Sequence, residues 1–150
     1  MIRVEPSDPR SSESQQLIAQ LTAELARITG EGGTASFSLE DIESERAMWV
    51  LARNQQGESI GCGAIRPLSA DTAELKRMYS TGREPGTGRA LLLALEAAAI
   101  GLDYRYILLE TRKVNQLAVA FYLKQGYQVT ENYGRYVGRD EAICFRKALS

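Results

Sequence analysis

Residues 73–101 read AELKRMYSTGREPGTGRALLLALEAAAIG, and they contain three consecutive structural signals. Residues 73–79 alternate small or apolar with charged side chains, which predicts a half-buried strand. Residues 82–88 are rich in glycine, and residues 89–100 have high helix propensity up to Gly101. A strand, a glycine-rich turn and a helix in this order predict an α/β domain with one central sheet.

The segments on either side extend the same pattern. A capping box at Ser12 and Gln15, apolar residues at helical spacing and Gly30 predict a first helix. Ser38 predicts the start of a short second helix. Residues 31–36 are predicted to form a loop. Asn115 predicts the start of a later helix that runs to Lys124. Further strands are predicted at 2–5, 48–53, 59–65, 106–110, 127–130 and 141–147, the second and third forming a hairpin.

Length and composition predict a single soluble domain over residues 1–150. The chain has 44% hydrophobic and 25% charged residues, which is typical of a globular protein. No stretch approaches the roughly 20 apolar residues of a membrane helix, and the first residues lack a secretory signal. We therefore expect a cytoplasmic protein that does not associate with membranes. Cys62 and Cys144 could form one disulfide, but two buried free thiols are the expected state in that compartment.

Residue types and charge exclude several function classes. Histidine is absent, which excludes Ser-His and Cys-His catalysis and imidazole zinc sites, and two cysteines cannot make a four-thiolate site. We therefore predict no metal. Up to Leu75 there are 6 basic and 12 acidic residues, and after it 12 and 7. The basic second half suits an anionic ligand, whereas a pI near 5.6 disfavours nucleic acid.

The glycine-rich segment 83–89 can cradle a phosphate group. Glycine permits positive φ and close approach, so successive N–H groups can converge with the positive end of the following helix. Arg83 and Arg89 would add charge-assisted hydrogen bonds. The alternative is a simple connection before a helix. No Lys-Ser/Thr pair follows the glycines, and Leu91 occupies the third glycine position of a dinucleotide motif, so ATP and NAD are disfavoured.

Two motifs, one on each side of the predicted strand 106–110, carry a family resemblance. The first is Arg83-x-x-Gly86-x-Gly88, and the second is Asn115-x-x-Ala118-x-x-Phe121-Tyr122-x-Lys124-x-Gly126-Tyr127. In this order, the chain resembles the GNAT superfamily of acyl-CoA-dependent N-acetyltransferases, most closely from Glu58 to Lys147. The subgroup resembled comprises small bacterial proteins with an AELKRMY strand. The resemblance implies a mixed, mostly antiparallel central sheet flanked by helices.

The resemblance also implies a role for each matching position. Acetyl-CoA would be the co-substrate. Main-chain groups near Met78 and Tyr79 would pair with its pantetheine arm, and Asn115 would hydrogen-bond the same arm. The phenol of Tyr122 would donate a proton to the departing thiolate; the alternative for Tyr122 is a helix aromatic that packs on the sheet. The pyrophosphate would be held by amides of the segment 83–89, which includes the predicted contacts Arg83, Gly86, Thr87, Gly88 and Arg89.

The residue that accepts a proton from the amine is less sharply indicated. Glu74 lies where several relatives carry a catalytic glutamate, and a partly desolvated carboxylate suits a base. Its alternatives are a solvent-facing charge and a salt bridge with a basic neighbour. Glu110 is a weaker candidate, and positioning of the two substrates could suffice without a base.

The pyrophosphate loop departs from the resembled pattern in two ways. Only three residues separate Tyr79 from Arg83, two fewer than is common in close relatives. Pro85 lacks an N–H, so one hydrogen-bond donor is missing. The exact contacts of this loop with CoA therefore stay open.

The expected function is acetyl transfer from acetyl-CoA to a primary amine, by direct attack in a ternary complex. The acceptor could be a small molecule or a peptide. Tyr133 and Tyr136 could line its pocket or pack a surface loop, and the acidic residues 40–45 could attract a cationic amine or form a solvated face. A non-catalytic acyl-CoA-binding or regulatory module and an interaction protein without a CoA site are the alternatives. An edge strand near the C-terminus leaves a homodimer open.

Overall fold

The structure, a computed structural model, describes residues 1–33 and 38–149, which form seven strands and three α-helices around one sheet. The strands are β1 Arg3–Pro6, β2 Met48–Arg53, β3 Ser59–Pro67, β4 Thr72–Ser80, β5 Tyr106–Arg112, β6 Gln128–Thr130 and β7 Ala142–Ala148. The helices are α1 Ser12–Thr29, α2 Thr87–Gly101 and α3 Gln116–Lys124, with single 3₁₀ turns at Leu39–Ile42 and Gly134–Tyr136. Within the described ranges, no helix combines the length and apolar character needed to cross a membrane.

The sheet has the strand order β1-β2-β3-β4-β5-β7-β6. Neighbouring strands are antiparallel except β4 and β5, which are parallel. The mixed, mostly antiparallel sheet implied by the resemblance is therefore confirmed. The pairing of β4 with β5 covers only three residue pairs, from Thr72↔Tyr106 to Glu74↔Leu108. Beyond these pairs the two central strands have no ladder between them.

Helices cover both faces of the sheet. The larger core lies under α2 and α3 and contains Leu91, Leu95 and Phe145, while the second core contains Leu17 of α1 and Trp49 of β2. Both cysteines are free and buried, as expected from the sequence.

The start of α1 differs from the prediction. The N-cap is Ser11 and not Ser12, and its side chain accepts a hydrogen bond from the N–H of Ser14 at 3.1 Å. The hydroxyl of Ser14 is itself buried, where it accepts a hydrogen bond from the Trp49 indole at 2.8 Å. This tertiary contact fixes the helix start one residue earlier. Gly30 ends the helix in the left-handed conformation, as predicted.

The short second helix and its preceding loop are only partly described. Ser38 caps a single 3₁₀ turn, which confirms the position of the predicted short helix but not an α-helical geometry. The predicted loop 31–36 extends into residues 34–37, which lie outside the described residues.

Two glycines of β3 allow α2 to approach the sheet closely. A Cβ atom on Gly61 would lie 2.7 Å from the carbonyl oxygen of Tyr79 and 2.9 Å from the Leu91 side chain. A Cβ atom on Gly63 would lie 2.6 Å from the sulfur of Met78 and 2.9 Å from the Leu95 side chain. A side chain at Gly61 would collide with backbone, so the glycines of β3 let α2 pack close to the sheet.

Gly61→Ala is expected to lower the free energy of unfolding by about 1–3 kcal/mol, the usual cost of overpacking a core. The backbone oxygen of Tyr79 cannot move aside without disturbing β4. Urea-induced unfolding measures the effect. Gly101→Ala is the control, because its Cβ would meet nothing within 4 Å and alanine favours a helix. Equal stability of the Gly61→Ala variant and the wild type would contradict the close approach.

Candidate active site

A cleft opens where β4 and β5 stop pairing. A cavity of about 150 Å³ lies there, bounded by the two strands, the C-terminal half of α1 and the start of α3. Met78, Asn115 and Tyr122, which the sequence predicts for cofactor binding and catalysis, line this cavity, and so does Glu110. Three predicted site residues from distant parts of the chain are thus brought together.

A β-bulge shapes the β4 side of this cleft. Ala64 pairs with Lys76 whereas Cys62 pairs with Tyr79, so β4 has one extra residue here. Arg77 has a positive φ of 54°, and its buried guanidinium donates to Thr22 Oγ1 of α1 at 2.5 Å. A bulge bends and twists its strand. The cleft-facing edge of β4 at Met78 and Tyr79 therefore has no strand partner among the described residues.

The N-terminus of α2 exposes the main-chain donors that were predicted from the glycine motif. Its N-cap is Gly86, with φ 84° and no side-chain cap hydrogen bond, and the first N–H bonded within the helix is that of Ala90. The N–H groups of Thr87, Gly88 and Arg89 precede it, and helix geometry provides no acceptor for them. With the positive end of the helix dipole, they form a site suited to an anion.

The polar side chains of this loop differ in their contacts and exposure. The buried Thr87 hydroxyl donates to the carbonyl of Glu84 at 2.7 Å, so it shapes the loop. The exposed Arg83 guanidinium donates to Glu58 at 2.8 Å, and Arg89 is exposed. Such a surface pair holds its partners weakly, and both arginines are accessible to a ligand.

Gly88 connects the loop to the helix that carries Tyr122. A Cβ atom on Gly88 would lie 3.4 Å from the ring of Phe121. Phe121 adjoins Tyr122 in α3, and the two rings pack edge to face with their centroids 5.1 Å apart. The anion site and the predicted catalytic phenol therefore belong to adjacent helices.

Tyr122 is held in an aromatic cluster with Tyr127 and Phe145. Burial raises the pKa of its phenol well above the usual value, which keeps it protonated at neutral pH. Its side chain is only 7% exposed yet reaches the cavity wall. The Tyr122 side chain is therefore held in place at the wall of the cleft.

Asn115 is the N-cap of α3, as predicted. Its side-chain oxygen accepts the N–H of Ala118 at 3.3 Å. Because the carboxamide also carries two N–H donors, it can donate a hydrogen bond to a ligand while it caps the helix.

Glu74 lies on the other face of the sheet from the α2 core and is only 2% exposed. One of its oxygens accepts a hydrogen bond from Arg66 Nε at 2.7 Å, and the other accepts one from the Tyr133 hydroxyl at 2.6 Å. The salt bridge that was one alternative for this residue is thus present. Its role as a base stays a prediction.

A second cavity, of about 280 Å³, lies beside Glu74. Tyr133 and Tyr136 line it, and they also pack together, with ring centroids 5.4 Å apart, in a small cluster with Ala142 and Cys144. Of the acidic residues 40–45, Asp41 reaches this cavity, whereas Glu43 pairs with Arg10 at 2.8 Å.

Two further charged side chains, Glu110 and Lys76, line the first cavity. Burial raises the pKa of Glu110, and its ion pair with Arg112 opposes this shift only in part. Lys76 lines both cavities, and its ammonium donates to the Tyr136 hydroxyl at 3.3 Å. Sequence reasoning missed Lys76, although the two-residue period of β4 places it on the same face as Glu74.

Known proteins share this architecture. Residues 16–127 match the Acetyltransferase (GNAT) family. "Probable N-acetyltransferase 14" of Xenopus tropicalis is 32% identical over 108 residues, which are 70% of this chain and 52% of that protein, so the chain spans about half of its length.

Two crystal structures are also similar. A Klebsiella pneumoniae protein, named as a candidate acyl-CoA N-acyltransferase, has 28% identity and a TM-score of 0.83, with 100% of this chain and 99% of that one covered. A GNAT acetyltransferase from Elizabethkingia anophelis with acetyl-CoA bound shares the fold at 17% identity, with a TM-score of 0.72 and 99% and 98% covered. The family match spans most of the chain and includes both motifs of the cleft, and the chain therefore belongs to the acetyltransferase (GNAT) family.

Proposed function

We propose that this protein transfers the acetyl group of acetyl-CoA to a primary amine, by direct attack within a ternary complex. The observation that carries the proposal is the cleft between β4 and β5, which has an uncapped helix N-terminus nearby and a buried tyrosine, Tyr122, among its lining residues. These are the two features that an acyl-CoA thioester requires: an anion site for its diphosphate and a proton donor for its thiolate.

The cofactor is proposed to lie along β4. Its diphosphate accepts hydrogen bonds from the N–H groups at the start of α2, and Arg83 and Arg89 add charge. Its pantetheine amides pair with the unpaired edge at Met78 and Tyr79 and with the Asn115 carboxamide. Pro85 supplies no N–H, so the donors within α2 carry this contact. The acetyl-CoA in the Elizabethkingia anophelis relative supports this choice of cofactor.

The reaction is proposed to need a neutral amine beside the thioester. The amine nitrogen attacks the carbonyl carbon, the C–S bond breaks, and Tyr122 protonates the thiolate that leaves. Holding both reactants in one cleft contributes through proximity. No covalent acyl-enzyme is required, and the two cysteines are buried; desolvation raises the pKa of the Cys62 thiol to about 12, which makes it a poor nucleophile.

Two carboxylates compete for the role of base. Both oxygens of Glu74 already accept hydrogen bonds, and Glu74 lines the second cavity only. Glu110 lines the same cavity as Tyr122, and burial raises its pKa towards the range of an effective base. We therefore propose Glu110 as the proton acceptor. Glu74 is then the residue that positions Arg66 and Tyr133 around the acceptor.

The acceptor amine is proposed to enter through the second cavity. Tyr133, Tyr136 and Asp41 form its walls, and Lys76 separates it from the cofactor cavity. These walls present charged, phenolic and hydroxyl groups, which suit a small polar amine or the amino end of a peptide.

Release of free CoA thiol tests the proposal. Purified protein is incubated with acetyl-CoA and a panel of amines and short peptides, and thermal unfolding is followed with and without CoA. We expect CoA to raise the unfolding temperature and at least one amine to stimulate thiol release. Stabilisation without release from any acceptor would favour the regulatory module, and neither effect would favour an interaction protein without a CoA site.

Gly86→Ala is expected to weaken CoA binding about tenfold. A left-handed conformation costs a residue with a side chain about 1–2 kcal/mol, so the loop relaxes and its amides turn away from the diphosphate. Isothermal titration with CoA measures the affinity. Gly57→Ala is the matched control, because Gly57 has a similar φ of 82° and equally open surroundings in the β2–β3 turn. Equal CoA affinity in the two variants would contradict the predicted diphosphate site.

A further inference from the structure

We infer that Lys76 is a site of self-acetylation: in the absence of an external amine, its own ε-amine accepts the acetyl group from the acetyl-CoA bound in the same cleft. This inference rests on the proposed function for its acyl donor. It adds a modification site on the protein itself.

The position of Lys76 is the first argument. Of the described residues that line the two cavities, Lys76 is the only one common to both. It lies in β4 two residues before Met78, where the acyl-carrying arm of the cofactor is proposed to run. Lys76 therefore lies between the proposed acceptor cavity and the proposed position of the thioester.

The chemical state of Lys76 is the second argument. Its amine is partly buried, and this burial lowers its pKa below the usual value, although the carboxylates of Glu74, Glu110 and Asp41 oppose the shift and Arg66 adds to it. A larger fraction of the amine is therefore neutral at a given pH than for an exposed lysine. Its hydrogen bond to the Tyr136 hydroxyl, at 3.3 Å, is long and costs little to break.

The remaining lysines provide an internal comparison. The chain has four lysines, at positions 76, 113, 124 and 147. Lys113 and Lys124 are exposed, and Lys147 pairs with Glu96 at 3.2 Å. None of these three lines the cavity that contains Tyr122. A reaction directed by the cleft must therefore select Lys76.

The chemical step balances without any further reactant. The neutral nitrogen of Lys76 attacks the thioester carbonyl, and a C–N bond forms. The C–S bond breaks, and the electron pair of that bond leaves with sulfur. The nitrogen loses one proton, Glu110 takes it up, and the thiolate receives one from Tyr122. The products are Nε-acetyl-lysine and CoA. The acetylated side chain is longer and uncharged, so it occupies the passage between the two cavities.

Mass spectrometry of the full-length protein after incubation with acetyl-CoA alone tests the inference. We expect a gain of one acetyl group, located on the peptide that contains Lys76, at a rate per molecule that does not depend on protein concentration. Lys76→Arg keeps the positive charge but removes the nucleophile, and it is expected to abolish the gain. Its thermal unfolding, with and without CoA, shows whether it folds and binds the cofactor.

Several outcomes would overturn the inference. Equal acetylation of Lys113 and Lys124 would indicate non-specific acetylation from solution, and a rate per molecule that rises with protein concentration would indicate transfer between protein molecules. An unmodified Lys76 in a protein that acetylates external amines would reject the inference and leave the proposed function intact. Acetylation of Lys76 with no external amine able to stimulate the release of free CoA thiol would instead reject the external acceptor and support self-acetylation.

Discussion

Tyr122→Phe is expected to lower kcat for thiol release by about 10²-fold or more, with little change in the KM for acetyl-CoA. The substitution removes one hydroxyl from the cleft wall and keeps the ring that packs against Phe121, Tyr127 and Phe145. A general acid typically contributes about 10²–10⁴-fold, and without it the thiolate must leave unprotonated. Steady-state kinetics with the best amine of the panel measures both parameters.

Tyr106→Phe is the matched control for that experiment. Tyr106 is also a tyrosine of the central region, but it lies at the start of β5, outside the cavity, with its ring beneath the Arg146 guanidinium. We expect the Tyr106→Phe variant to have the same kcat as the wild type. If both variants lose activity equally, the loss reflects stability. If neither loses activity, Tyr122 is not the proton donor, and solvent protonates the thiolate.

Glu110→Gln is expected to lower kcat/KM about 10²-fold and to remove an acidic limb from its pH profile. A base works only when deprotonated, so activity falls as the pH drops through its pKa. Burial raises the pKa of Glu110, so this limb lies above the ordinary glutamate value of about 4.3. Profiles of the wild type and the variant with the same amine measure the effect, since the titration of the amine is common to both.

Glu74→Gln distinguishes the competing assignment. It leaves Glu110 in place but removes the charge that pairs with Arg66 in a nearly buried position. We expect this variant to keep the acidic limb and to raise the KM for the amine. If Glu110→Gln keeps the acidic limb of the pH profile and Glu74→Gln loses it, Glu74 is the base.

The parts of the site that depend on local chemistry were predictable from the sequence. Gly86 and the helix after it, and Asn115 as the cap of α3, depend on glycine conformations and side-chain caps within a few residues. Asn115 caps α3 as predicted, whereas α2 begins at Thr87, two residues before the predicted start at Arg89. The family resemblance added the order of the two motifs, and the matching residues 16–127 confirm it.

The parts that depend on strand pairing were not predictable. Glu74 meets Arg66 because the two residues are partners in the β3–β4 register, and it meets Tyr133 from 59 residues away in the chain. The bulge at Arg77 depends on contacts with α1. Periodicity identifies which face of a strand a residue occupies, but it does not identify the residue that faces it across the fold.

The short pairing of β4 with β5 has a mechanical consequence. Three residue pairs join two panels of the sheet, β1–β4 and β5–β7–β6, and α2 packs on the first panel. Because this ladder is so short, the two panels are held together mainly by the core beneath α2 and α3, to which both panels contribute side chains. A ligand that lies along β4 and contacts α3 would add contacts where the ladder ends.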